Sequence, residues 1–164
     1  MSNFIFIRKK YLTETELEAV FNILSNNMQS LGFDINQDNK KIWQTNFTNS
    51  LSKDNQYCYL IYKQDFLCGY IQVGLFDNLM HIHEVELSNQ FKQTRLIIEI
   101  IKFLINDKHF KTYNEFYYSV NKKNPLSFKT FAHLGGIKIK ETETKNFYKI
   151  TRKSVEDYIN AHFK

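Results

Sequence analysis

Val120-Asn121-Lys122-Lys123-Asn124-Pro125, then residues 126–134, then Gly135-Gly136-Ile137, is the stretch whose reading decides the fold. It reads as a strand that ends in a polar turn, a short helix opened by the chain's only proline, and a Gly-Gly break into another strand. Proline suits a first helical turn, where its missing N–H would have had no intrahelical partner. Asn124 is placed to cap that helix by accepting from backbone N–H groups. Gly135 supplies the left-handed residue that ends it.

Downstream, Ile137-Lys138-Ile139-Lys140 and Phe147-Tyr148-Lys149-Ile150 read as strands. Ser154 reads as the cap of a terminal helix carrying Val155, Tyr158 and Ile159. Upstream, Phe116-Tyr117-Tyr118-Ser119-Val120 follows the most apolar helix of the chain, with Leu96, Ile97, Ile100, Ile101, Phe103, Leu104 and Ile105. Before it lies a three-stranded meander. Tyr57-Cys58-Tyr59-Leu60-Ile61-Tyr62 and Leu67-Cys68-Gly69-Tyr70-Ile71-Gln72-Val73 form a hairpin. Asp77-Asn78 then turns into Leu79-Met80-His81-Ile82-His83-Glu84-Val85-Glu86-Leu87.

The N-terminal part opens with the strand Phe4-Ile5-Phe6-Ile7. Thr13 with Glu16 makes a capping box. Leu17, Val20, Phe21, Leu24, Met28 and Leu31 recur at helical spacing until Gly32 stops the run. Phe33-Asp34-Ile35-Asn36-Gln37 is a loop, and Asp38 or Asn39 opens a second helical segment through Ile42, Trp43, Phe47 and Leu51. The order is strand, two helices, three strands, helix, strand, helix, two strands. It predicts an α/β (α+β) domain with a mixed, largely antiparallel sheet of six or seven strands and helices on both faces. The strand–helix–strand unit after the meander requires a right-handed crossover between parallel strands.

At 164 residues the chain fits one domain, 1–164, and a domain of that size buries roughly 70% of its unfolded surface. Fifteen Phe and ten Tyr predict a ring-lined core. The net charge of +5 is spread over short groups such as Arg8-Lys9-Lys10 and Lys122-Lys123. No long basic block of the kind that binds nucleic acid is present. Cys58 and Cys68 lack metal-ligand spacing, no His or Cys cluster predicts a metal, and buried free thiols in a reducing compartment are expected. The first residues lack a signal-peptide pattern and no apolar run reaches membrane-spanning length, so a cytoplasmic chain without membrane association is expected.

The strand–Asn–short helix–Gly–strand unit, with the element order around it, resembles the GNAT superfamily of acyl-CoA-dependent N-acetyltransferases over nearly the whole chain. Gly69 also stands where the third strand of that family often carries glycine. The resemblance implies acetyl-CoA as co-substrate and direct attack on the thioester by an amine. The partners would be acetyl-CoA and an amine acceptor, without nucleic acid, in a monomer or homodimer. In the family a glycine-rich loop before the long helix holds the pyrophosphate with backbone N–H groups. Here Lys92, Arg95 and Ile97 stand at its three motif positions, both glycines being replaced. The implied cofactor residues are Val85, Leu87, Lys92, Gln93, Thr94, Arg95, Leu96, Asn124 and Phe131. Phe131 stands where the family's usual general acid, a tyrosine, would be.

The fourth strand carries the titratable cluster. Alternation places His81, His83, Val85 and Leu87 on one face and Ile82, Glu84 and Glu86 on the other. An amine becomes nucleophilic only after losing its proton, so a base is required. Glu84 is the first candidate, followed by His83 and Glu86. Acceptor-binding candidates are Phe33, Asp34, Trp43 and Tyr148, an acid for a cationic amine and rings for walls. The alternative is a GNAT-fold protein that binds a small molecule or partner without catalysis.

Overall fold

A computed structural model describes residues 3–92, 95–124 and 132–163. The strands are β1 (Phe4–Lys9), β2 (Gln56–Lys63), β3 (Phe66–Phe76), β4 (Leu79–Leu87), β5 (Glu115–Asn121), β6 (Ile137–Glu141) and β7 (Lys145–Thr151). The helices are α1 (Glu14–Ser30), α2 (Gln37–Leu51), α3 (Leu96–Asn106) and α4 (Arg152–His162). The seven strands form one sheet in the order β1-β2-β3-β4-β5-β7-β6. Only the β4–β5 pair is parallel among the registers β1–β2, β2–β3, β4–β5, β5–β7 and β6–β7. The sheet is therefore mixed and largely antiparallel, as the element order predicts. Among the described residues, no helix is long and apolar enough to cross a membrane.

The chain divides into two compact units. The first comprises Met1–Gly74 and Glu84–Leu96. Thr13 caps α1 with the full capping box, its side chain accepting from Glu16 N while the Glu16 carboxylate accepts from Thr13 N at 2.9 Å. The apolar stripe of α1 then buries Val20, Phe21, Ile23 and Leu24. Val20, Phe47, Leu51, Cys58, Leu60 and Tyr70 make one core cluster. Trp43 stacks on Phe47 at 4.7 Å, and Phe47 meets Tyr70 edge-on at 5.9 Å. The start of α2 departs from expectation. Asn36 is the cap, accepting from Asn39 N at 2.9 Å, and the helix begins at Gln37 rather than after Asp38 or Asn39.

Gly69 answers a local packing demand. A Cβ there would collide with the Glu86 carbonyl oxygen and stand 2.8 Å from Leu87 Cδ2. The β2–β3 register also slips at this point, with Ile61 opposite Gly69 and Tyr62 opposite Leu67, so Cys68 is the extra residue of a bulge. The Cys68 carbonyl accepts from Ser88 N at 2.9 Å. That bond ties the end of β4 to β3.

The second unit comprises Leu75–His83 and Ile97–Lys164. Ile100, Ile101 and Leu104 of α3, Phe116, Tyr118 and Val120 of β5, Tyr148 and Ile150 of β7, and Val155 and Ile159 of α4 are buried. Arg152 pins the connection between α3 and β5. Its guanidinium donates to the carbonyls of Tyr113 (2.8 Å), Ile105 (2.6 Å) and Phe110 (2.6 Å). Gly135 has the expected left-handed backbone, φ +83°, and a Cβ there would strike Ser154 Oγ. Ser154 is not the cap of α4. Thr151 caps that helix, accepting from Ser154 N, while Ser154 Oγ donates to the Leu134 carbonyl at 2.9 Å. The short helix expected from Pro125 lies outside the described residues, apart from Ala132 and His133 at its end.

Candidate active site

β4 places the titratable cluster. Its parallel register with β5 runs from Leu79↔Glu115 to Ile82↔Tyr118, while β4 itself continues to Leu87. The candidate residues His83, Glu84, Val85, Glu86 and Leu87 all follow the last registered pair.

In the first unit, both carboxylates meet neutral hydrogen-bond donors. The Tyr70 hydroxyl donates to Glu84 Oε2 at 2.6 Å. Tyr70 is fully buried, and burial together with the charge of Glu84 holds its phenol well above the usual range, so it stays a donor. Asn27 of α1 donates from Nδ2 to Glu86 Oε2 at 2.6 Å and to the Leu87 carbonyl at 3.1 Å. Burial pushes the Glu86 carboxyl up to about 7, with the charge of Glu84 adding to the rise and the Asn27 hydrogen bond and the charge of Lys92 opposing it. A carboxyl poised there exchanges a proton near neutral pH, as a general base must.

Asn27 is the site residue that the sequence reading missed. It lies on the buried face of α1, only 7% exposed. Its amide orientation is fixed, because both groups it faces through Nδ2 are acceptors. Oδ1 is consequently left buried with no hydrogen-bond partner among the described residues, as is Ser88 Oγ. Each such atom costs about 1–3 kcal/mol if nothing pairs with it. Both residues line a cavity of about 280 Å³ together with Ile23, Asn26, Asn89 and Gln90. A signal existed in the sequence. Asn27 follows Ile23 by four and Leu24 by three, so helical spacing puts a polar group on the apolar stripe.

In the second unit the rings of His81 and His83 meet edge-on at 4.5 Å, as residues two apart on a strand can. Phe76 stands edge-on to His83 at 6.3 Å. Burial lowers both imidazoles, His81 further through the charge of Lys145 and His83 through His81, to about 4 for His83. Both rings are neutral at pH 7. Among the described residues, no group of three or more His, Cys, Asp or Glu is arranged to hold a metal ion.

Lys92 ends a single 3-10 turn, Asn89–Phe91, that follows β4, and Arg95 is exposed just before α3. Leu96 is fully buried. Val85 and Leu87 are half-buried on β4. Asn124 closes the turn after β5, its N–H donating to the Asn121 carbonyl at 2.8 Å. Gln93, Thr94 and Phe131 lie outside the described residues. Of the acceptor candidates in the first unit, Asp34 is exposed, Phe33 is half-buried with its N–H on the Met28 carbonyl, and Trp43 packs between Phe21 and Phe47. In the second unit Tyr148 is buried and stacked on Tyr118 at 5.3 Å.

No protein-family model matches the sequence, and no curated protein matches it. Solved structures do match. FdhC, described as a nucleotide-linked sugar GNAT, superposes with a TM-score of 0.70 at 14% identity, over 96% of this chain and 92% of that one. The PaiA N-acetyltransferase of Thermoplasma acidophilum, solved with coenzyme A, gives 0.67 at 12% identity, covering 90% and 99%. The N-acetyltransferase PseH of Campylobacter jejuni, solved with acetyl coenzyme A, gives 0.66 at 14% identity, covering 91% and 99%. At such identities the likeness is one of architecture, and the architecture of this chain is that of the GNAT acetyltransferases.

Proposed function

We propose that this protein is an acetyl-CoA-dependent N-acetyltransferase acting on an amine, with 1–164 as its acetyltransferase domain. The observation that carries the reading is the GNAT architecture itself, with a carboxyl, Glu86, seated on β4 and held by the Asn27 amide at 2.6 Å. The residues present suit an acyl-CoA: Lys92 and Arg95 offer cations for the phosphates, Val85 and Leu87 follow the last registered β4–β5 pair, and Asn124 closes the β5 turn. When bound, acetyl-CoA supplies an activated acyl carbon.

The chain's own residues supply base and orientation. Glu86, ionised above its pKa, takes a proton from the ammonium form of the acceptor, directly or through a water. The freed amine would attack the thioester carbonyl, the C–N bond forming as the C–S bond breaks, and the proton that the nitrogen still sheds passes to the departing thiolate, which leaves as the thiol. Asn27 holds Glu86 in place through its Nδ2 hydrogen bond. Glu84, held by Tyr70, supports the charge of the incoming ammonium. His83 is a weaker base than Glu86, since its imidazolium gives up its proton at about 4. Phe33, Asp34, Trp43 and Tyr148 remain the proposed acceptor contacts, and Gln93, Thr94, Leu96 and Phe131 complete the proposed cofactor set.

Thermal shift with acetyl-CoA, followed by thiol release over an amine panel, tests this reading. A raised midpoint and amine-dependent thiol release are expected. A flat midpoint at millimolar acetyl-CoA would favour a second reading, a GNAT-fold binding protein without catalysis. That reading draws its support from Arg95 and Ile97, which stand where glycines would let a pyrophosphate approach.

A further inference from the structure

β1 is one rim of the seven-stranded sheet and pairs, among the described residues, with β2 alone. Its ladder is unbroken: the six residues from Phe4 to Lys9 face Lys63 to Cys58 with no shift of register. Alternation puts Phe4, Phe6 and Arg8 on one side of the sheet and Ile5, Ile7 and Lys9 on the other. Ile5 stands opposite Tyr62 and Ile7 opposite Leu60. Leu60 belongs to the buried core cluster of this unit and Tyr62 packs against that cluster. The apolar layer therefore runs outward to the rim and ends on two isoleucines that remain 55% and 41% exposed. A regular edge strand with apolar side chains at alternate positions is a template for another strand.

The charges of β1 select the occupant and its direction. The cations of the segment, Arg8, Lys9 and Lys10, sit at its C-terminal end, and Phe4 to Ile7 carry none. Lys9 is paired with Glu16, and Arg8 lies over the Tyr57 ring at 4.3 Å. A wholly apolar partner strand would desolvate this cationic end, and an acidic one would set charge against the isoleucines. A second β1 laid antiparallel matches both halves, whereas a parallel copy would stack arginine on arginine. Opposed residues of an antiparallel pair share a face, so the two-fold axis must pass through a residue. Centred on Ile7, it sets Ile5 against the partner's Lys9. Centred on Ile5, it sets Ile7 against the partner's Asn3. Centred on Phe6, it sets Ile5 against the partner's Ile7 and Ile7 against the partner's Ile5. Arg8 then faces the partner's Phe4. The two arginines stand about 13 Å apart along the ladder, beyond the ~8 Å screening length of physiological salt.

We propose that this chain forms a two-fold homodimer through antiparallel β1–β1 pairing centred on Phe6, which joins two seven-stranded sheets across the rim. The pairing covers both exposed isoleucines of each chain and satisfies the outward backbone groups of β1. Six residues a side fall short of the roughly 20–30 of a standard interface, so the dimer is weak, with a dissociation constant on the order of 10–100 µM. The pairing makes no use of the acetyltransferase reading.

Sedimentation of the full chain from about 5 to about 500 µM tests it, and the mass is expected to rise from one chain toward two. Ile5→Lys or Ile7→Lys alone should weaken the dimer at least tenfold, because each sets an ammonium against an isoleucine. A double variant, Ile5→Lys with Ile7→Glu, sets ammonium against carboxylate in the Phe6-centred register and like against like in the other two. It should restore the dimer to within about threefold of wild type. Both positions are exposed in the single chain, so the fold should survive, as circular dichroism checks. Should a lysine variant alter that spectrum, hydrogen exchange of the wild-type chain decides, since edge pairing protects the outward β1 amides as concentration rises. A chain that stays monomeric throughout would leave the rim to a different partner and overturn the proposal. So would a dimer that either lysine variant leaves intact, a double variant that stays monomeric, or β1 amides whose exchange ignores concentration.

Discussion

Arg152, half-buried in the second unit, and Asn27, buried in the first, are both polar side chains reaching across a long stretch of sequence, yet they end differently. Arg152 donates to three carbonyls and takes Glu156 at 3.7 Å, so its guanidinium is well matched to its surroundings. Asn27 spends its amide hydrogens on Glu86 and Leu87 and keeps a buried oxygen with no partner among the described residues. A polar group whose three nitrogens each meet a carbonyl of the chain is architecture. A buried oxygen left over beside a carboxyl held near 7 marks the place where the fold has not been optimised for stability alone.

Breaking the architectural member should give the largest effect. Arg152→Ala leaves three carbonyls without their donor and is expected to lower stability by about 4 kcal/mol, since bonds from a charged donor are worth roughly 1.5–3 kcal/mol each and losses are not additive. Urea unfolding measures it, and acetyl-CoA affinity of the remaining folded protein should be unchanged. A loss under 1 kcal/mol would erase the contrast between the two regions.

Glu86→Gln sharpens the other side. It should cut turnover by about 100-fold and abolish the rise of kcat with pH around an apparent pKa of 7. Stability should move the opposite way. The folded carboxyl binds its proton more tightly than the unfolded one, so the native state is penalised as pH climbs from the ordinary value of 4.5 through about 7. Glu86→Gln should therefore be more stable than wild type at pH 8, by roughly 3 kcal/mol. A variant that is less stable at every pH would show Glu86 to be structural.

Tyr70→Phe removes the donor to Glu84 inside the core and should cost about 2 kcal/mol. Urea unfolding measures it. A loss under about 0.5 kcal/mol would mean that the Tyr70 hydroxyl contributes little to the core.

The smallest effect belongs to the histidines. His83 stays neutral when folded down to about 4, against 6.5 unfolded, so stability should rise with pH across that window. This slope opposes that of Glu86. His83→Gln should remove it, a change of about 1 kcal/mol at pH 5. Chemical denaturation of the two single variants at pH 5 and 8 separates the two contributions.

The fold was legible wherever its signals are local. The Thr13–Glu16 capping box, β4 from Leu79 to Leu87 and the left-handed Gly135 depend on residues a few positions apart. The caps of α2 and α4 were misplaced because several capping residues follow one another, Asn36 with Asp38 and Asn39, and Thr151 with Ser154. The residue whose backbone stays extended takes the role, and both Asn36 (ψ 179°) and Thr151 (ψ 148°) do. At the site, Glu84 and Glu86 could be recognised as titratable groups on one strand. Their partners could not, because Tyr70 is 14 and Asn27 is 59 residues away, and only the folded sheet brings them together.

An open sheet has two rims, and β6 is one of them. Every residue of this strand is exposed, Ile137 at 66% and Ile139 at 51% among them. Such a rim invites a foreign strand. Two features discourage it here. The register with β7 slips between Lys138 and Lys140, so Ile139 is an extra residue that kinks the ladder, and lysines alternate with the isoleucines. A second chain laid along β6 would meet a kinked ladder and charged side chains, Lys138 paired with Glu141 among them. The cost of carrying two isoleucines into water is thereby kept from becoming a nucleus for aggregation, and deleting Ile139 would straighten the rim and remove that safeguard.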